Sequence, residues 1–152
     1  MIYAFEVAAK AFKEVSDADD LKRVGRAIEI LASKTGIYGM IGGQTVDVEL
    51  AGGPIPKNKL DFIYRLKTGA LIEASMLIGA VLGGAAEEDC KIVESLAGKV
   101  GLAFQIQDDI LDVTGDQEVL GKEAGSDEKN QKTTYVTLEG LEKAKKDVEA
   151  LS

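Results

Sequence analysis

Apolar residues recur along most of this chain at intervals of three and four, the period of a helix with one buried face. From about residue 3 to 15 they are Tyr3, Ala4, Val7, Ala8, Ala11, Phe12 and Val15. Ser16 and Asp17 open a second helix with Asp19 and Asp20 in its first turn, and Gly36 is placed to end it. Residues 37 to 50 keep a helical period but contain Gly39, Gly42 and Gly43, and an interior glycine costs roughly 1 kcal/mol relative to alanine. Such a segment is expected to meet a close neighbour or a ligand. A loop holding the chain's two prolines, Pro54 and Pro56, leads into a long helix from Lys57 or Asn58 to about Leu82. Its apolar positions (Leu60, Ile63, Leu66, Leu71, Ile72, Met76, Leu77, Ala80 and Val81) cover more than half its circumference, so it belongs in the centre. Gly83 and Gly84 end it, and Glu87, Glu88 and Asp89 suit the negative first turn of a helix over roughly 86 to 113. Gly115 stops that helix, the stretch from Asp116 to Thr134 is polar, and a last amphipathic helix begins near Thr137. No alternating strand pattern of convincing length occurs. The expected fold is all-α, with about six helices.

One run breaks the pattern. Within Phe104-Gln105-Ile106-Gln107-Asp108-Asp109-Ile110-Leu111-Asp112, three carboxylates interrupt an apolar helix near its C-terminal end, where the helix dipole disfavours anions. Asp108 and Asp112 lie one turn apart on one face, with Gln105 one turn before and Asp109 beside them. No lysine or arginine lies in the adjoining turns, the nearest being Lys99 and Lys122. Carboxylates crowded in this way need a neutralising partner, and hard oxygen donors suit Mg²⁺ better than zinc. Asp108, Asp109 and Asp112 are therefore the candidate metal ligands. The D-x-[DN]-x-[DN]-G order of a calcium loop is missing.

Composition narrows the chemistry further. The chain has 152 residues, no histidine and one cysteine, Cys90. Ser-His-Asp and Cys-His catalysis and histidine zinc sites are excluded, and no intrachain disulfide can form, which suits the cytoplasm. The net charge is −8 with no basic block, which argues against a nucleic-acid partner. The N-terminal residues lack the signal-peptide pattern. The longest uncharged apolar stretch, Ala74 to Ala86, is shorter than the ~20 residues a membrane span needs. Lys67 and Thr68 place an amine and a hydroxyl on the central helix, and Gln44 and Asp47 sit three apart beside the glycines. Metal-seeking carboxylates, amines and amides on apolar helices suit a diphosphate with a hydrophobic tail.

Four separated motifs then fall in order. They are Gly39-Met40-Ile41-Gly42-Gly43-Gln44 with Asp47; Lys67-Thr68-Gly69-Ala70-Leu71-Ile72; Gly101 to Asp112; and Gly115-Asp116, Leu120-Gly121-Lys122, Gly125-Ser126-Asp127 with Lys132-Thr133-Thr134-Tyr135. Together they resemble the C-terminal half of a trans-isoprenyl diphosphate synthase, of the bacterial farnesyl or geranylgeranyl diphosphate synthase type. The resemblance implies an isoprenoid synthase-type helical fold and a Mg²⁺-dependent, head-to-tail condensation of isopentenyl diphosphate with an allylic diphosphate. It implies that Asp108 and Asp112 hold Mg²⁺ against the allylic diphosphate and that Lys67 and Lys122 contact the diphosphate. Thr68 and Gln105 would line the allylic cation, and Phe104 matches the aromatic residue beside the isopentenyl site. Gln44, Asp47 and Lys132, within the matching motifs, are further substrate-binding candidates.

The family's first aspartate-rich motif and its isopentenyl-binding arginines have no counterpart here, and its terminal helices would lie beyond Ser152. The chain is thus expected to be one partial domain over 1–152, without catalysis by itself. The apolar faces left uncovered are expected to drive self-association, as a homodimer or otherwise. One alternative is a non-catalytic subunit of a heteromeric prenyl diphosphate synthase. Another is a class I terpene cyclase, against which Lys67-Thr68-Gly69 and Gly42-Gly43-Gln44 argue.

Overall fold

A computed structural model of the chain describes residues 2–115 and 132–152. Among the described residues there are eight α-helices and no strands. They are α1 (Ile2–Lys10), α2 (Ala18–Thr35), α3 (Met40–Glu49), α4 (Lys57–Ile63), α5 (Ala70–Leu82), α6 (Glu87–Thr114), α7 (Tyr135–Glu139) and α8 (Leu141–Leu151). Most boundaries fall at the expected signals. Asp17 caps α2 by accepting the N–H groups of Asp19 at 2.8 Å and Asp20 at 3.3 Å. Gly36, Gly83 and Gly115 stand at the ends of α2, α5 and α6.

Two elements differ from the expectation. The long central helix is continuous from α4 to α5, but its middle, Tyr64–Gly69, widens to a π-helix. Such widenings concentrate at functional positions, and this one holds Lys67 and Thr68. The final helix is split in two: Gly140, at φ 84°, breaks it after five residues, and α8 restarts at Leu141. Thr134 and Thr137 form a capping box that begins the short α7 upstream of the expected start.

The α4–π–α5 rod is central, as its all-round apolar pattern requires. α2 and α6 pack along α5, while α3 and α6 both pack on the π segment and α8 packs on α6. One apolar cluster gathers Ile55, Leu60, Ile63, Tyr64, Ile106, Ile110, Tyr135 and Ala144. Burying a side chain as fully as Leu60 or Ile106, the largest fully enclosed ones, contributes about 1.5–3 kcal/mol. A second cluster joins Leu77, Val81 and Cys90 at the other end of the rod.

The outer faces are less covered. The α1 stripe buries no residue, and Tyr3 is 70% exposed. Along α6, Ile92, Leu96, Val100 and Phe104 follow one another at intervals of four, all exposed.

Lys34 ties three helices together. Its Nζ donates to Glu73 of α5 at 2.6 Å and to Glu94 of α6 at 2.8 Å. Burial pulls its pKa down, but the two hydrogen bonds outweigh burial and hold it above the ordinary lysine value. A raised folded pKa makes this contribution complete below the unfolded value of about 10.4 and lost as pH rises through the folded one. The urea midpoint is expected to fall as pH rises above about 10.4, and to fall less in Lys34→Met. Equal slopes in the two proteins would refute this role.

Candidate functional site

The site is assembled where three helices approach more closely than side chains normally allow. A Cβ placed on Gly43 of α3 would lie 2.4 Å from the backbone nitrogen of Lys67. One placed on Gly101 of α6 would lie 2.8 Å from Cα of Gly69. Glycine at both positions lets α3 and α6 press on the π segment from two sides. The neighbour anticipated for the glycine-bearing segment is therefore the backbone at Leu66 and Lys67.

Close approach of α3 brings Asp47 to Lys67. Lys67 Nζ donates to Asp47 Oδ2 at 2.6 Å, with both side chains mostly covered. Asp47 also borders a cavity of about 250 Å³ whose walls include Leu50, Ile55, Lys132 and Thr133. Three of the candidate residues, Asp47, Lys67 and Lys132, are thus neighbours through one carboxylate and one cavity. Gln44, three positions before Asp47 on α3, is exposed. Thr68, next to Lys67, is half-buried.

On α6, Gly101, Gln105, Asp108 and Asp112 fall at i, i+4, i+7 and i+11, a single helical face. That face starts at the Gly69 backbone, so the carboxylates continue from the point where α6 meets the segment bearing Lys67 and Thr68. Asp108 is exposed, Gln105 half-buried and Asp112 buried. Phe104 lies to one side, on the exposed apolar stripe, at 57% exposure. Among the described residues no three carboxylates converge to hold one ion by themselves. Lys122 lies outside the described residues.

Asp109 goes elsewhere. One residue on from Asp108, it is rotated by about 100° into the apolar cluster and is 5% exposed. Its Oδ2 accepts the hydroxyl of Tyr64, from the π segment, and the backbone N–H of Tyr135 at 2.7 Å. The same N–H also approaches the Tyr64 hydroxyl oxygen at 3.2 Å. The partners that local sequence does not supply come from 45 and 26 positions away. Sequence reasoning passed over Tyr64; the available signal was a polar-tipped aromatic among core positions, which when buried usually finds a partner. Tyr135 is held at its other end as well, its hydroxyl donating to Asp147 at 2.7 Å and its ring lying 4.9 Å from Lys57 Nζ.

The all-α arrangement, with carboxylates along α6 and an amine on the adjoining π segment, is of a class that comparison with known proteins identifies. The model of the polyprenyl synthetase family matches residues 2–152, so the chain belongs to the trans-isoprenyl diphosphate synthase family. It is 43% identical over 145 residues to the farnesyl diphosphate synthase of Escherichia coli K12, covering 94% of this chain and 47% of that protein. It is 42% identical over 147 residues to geranylgeranyl pyrophosphate synthase 4 of Arabidopsis thaliana, covering 94% of this chain and 40% of that one. Among solved structures, a Helicobacter pylori geranyltransferase complexed with magnesium and isoprenyl diphosphate matches with a TM-score of 0.83 and 35% identity. That match covers 99% of this chain and 47% of the other. The all-α isoprenoid synthase fold is shared with such neighbours. The chain spans less than half the length of each of these relatives.

Proposed function

We propose that this chain carries the second aspartate-rich wall of a prenyl diphosphate synthase site, for condensation of isopentenyl diphosphate with an allylic diphosphate in the cytoplasm. The observation that carries the reading is the single face Gly101-Gln105-Asp108-Asp112 starting against the π segment that bears Lys67 and Thr68. Mg²⁺ is ordinarily bound by one or two carboxylates, its remaining positions going to water and phosphate oxygens. Asp108 and Asp112 fit that donor set and would hold it. Bound there, Mg²⁺ would supply positive charge beside a leaving diphosphate.

The chain's own groups divide the remaining work. Lys67, aimed by Asp47, presents an ammonium to phosphate oxygens, and Lys122 and Lys132 add charge of the same sign. Thr68 and Gln105 offer neutral oxygen dipoles to a developing allylic cation, which a carboxylate would trap as an ester. Phe104 supplies an apolar ring for the isopentenyl carbons. No histidine base is needed where the departed diphosphate itself takes the proton.

Asp108 to Asp112 is the sequence's one DDxxD run, so the second wall is expected to need a first. Incubating the chain with Mg²⁺, geranyl diphosphate and labelled isopentenyl diphosphate should give no longer prenyl product; robust turnover would contradict this. The exposed run Ile92, Leu96 and Val100 favours assembly with a second chain, either a copy of this one or a subunit bearing the first motif. Among the described residues no helix is long and apolar enough to cross a membrane. Light scattering on the same preparation should find a species larger than the monomer, and a well-behaved monomer would count against assembly through that run.

A further inference from the structure

We propose that Asp109, although inside the aspartate-rich run, is a positioning residue. With Tyr64 it latches the chain at Tyr135 and so fixes Lys132 beside Asp47. Three observations carry this. Asp109 is turned away from the face shared by Asp108 and Asp112 and is enclosed among Tyr64, Ile106, Ile110 and Tyr135. One oxygen, Oδ2, receives both the Tyr64 hydroxyl and the Tyr135 N–H. Tyr135 is the first residue of α7, so its N–H is one of the amides a helix start leaves without an intrahelical acceptor. The carboxylate accepts it in place of water.

The latch joins three segments distant in sequence: the π segment through Tyr64, α6 through Asp109, and the start of α7 through Tyr135. Around it the segment from 132 to 135 is pinned again, since Thr133 Oγ1 accepts the N–H of Ile55 at 3.1 Å and Thr134 closes the capping box. Lys132 is three residues from the latched amide and lines the Asp47 cavity. Geometry thus divides the two adjacent aspartates by task. Asp108 is exposed on the face it shares with Gln105, whereas Asp109 is enclosed and holds the chain at Tyr135. The role of Lys132 toward a diphosphate rests on the function proposed above; the latch does not.

Amide hydrogen exchange on the whole chain tests it, with Ala74 of α5 as an internal reference for global opening. In the unaltered chain the Tyr135 amide is expected to be protected. In Asp109→Ala it should exchange at least about 100-fold faster while Ala74 changes little. Asp109→Asn keeps an oxygen acceptor and should restore protection to within about tenfold of the parent. Tyr64→Phe, which leaves the Asp109–Tyr135 bond, should fall between Ala and the parent, and it keeps the test open if the alanine variant fails to fold. Inorganic diphosphate with Mg²⁺, titrated by calorimetry, is the second readout: Asp109→Asn should bind within about threefold of the parent. A metal ligand would instead lose as much affinity as asparagine as it does as alanine, with Tyr135 protection unchanged. That pattern, or an unprotected Tyr135 amide in the parent, overturns the latch. If the parent binds no diphosphate at all, the proposed function fails while the exchange result still decides the latch.

Discussion

Gly43→Ala is expected to destabilise the chain by about 2 kcal/mol, measured as a lower urea midpoint with an unchanged m-value. The added Cβ would meet the Lys67 nitrogen at 2.4 Å, Leu66 Cβ at 2.8 Å and the Leu66 carbonyl carbon at 2.9 Å. Two of these three atoms are backbone, so no rotamer change relieves the clash, and α3 must move off the π segment. Overpacking of this kind costs about 3 kcal/mol, against which alanine recovers about 1 kcal/mol of helix propensity. Gly79→Ala supplies the contrast: it lies inside α5 with no atom within 4 Å of the added Cβ. The same propensity gain, now unopposed, should raise stability by about 0.5–1 kcal/mol. Equal effects at the two positions would show that helix propensity, and not the close approach, determines the outcome.

Lys67→Met should weaken binding of inorganic diphosphate with Mg²⁺ at least about tenfold and cost about 1–2 kcal/mol of stability. The two losses have different origins. Stability falls because Asp47 keeps its charge in a mostly covered place without the ammonium 2.6 Å away. The pair is neither fully exposed nor fully buried, so its loss lies between the small effect of a surface pair and the 3–5 kcal/mol of a buried one. Affinity falls because a cation that would face phosphate oxygens is gone. Adding Asp47→Asn should therefore recover most of the stability and none of the affinity. If the double variant regained both, Lys67 would be a structural cation only.

Periodicity carried the architecture well, since helix-forming stripes and their stop signals are local properties. The ends of α2, α5 and α6 at Gly36, Gly83 and Gly115 were readable for that reason. The π widening at Tyr64–Gly69 was not, because it inserts into a run whose apolar pattern suits an ordinary helix equally well. Its cause is tertiary: Gly43 and Gly101 admit neighbouring backbone against Leu66, Lys67 and Gly69. The Gly140 break was similarly hidden inside an amphipathic pattern that continues across it. In the site, the i, i+3 and i+7 spacing of Gln105, Asp108 and Asp112 placed them on one face in advance. The pairing of Lys67 with Asp47 needed the fold, as the two are 20 positions apart. Asp109 shows the limit most plainly. The Tyr64 hydroxyl and the Tyr135 amide reach it from 45 and 26 positions away.

Asp108 and Asp112 are proposed to form a metal-dependent diphosphate wall. Titration of the purified protein with inorganic diphosphate, with and without Mg²⁺, tests it most directly. Binding should require Mg²⁺ and weaken at least about tenfold, or about 1.4 kcal/mol, in Asp108→Asn/Asp112→Asn. Binding that persists unchanged without Mg²⁺ or in that variant, or no binding by the parent, would contradict the claim.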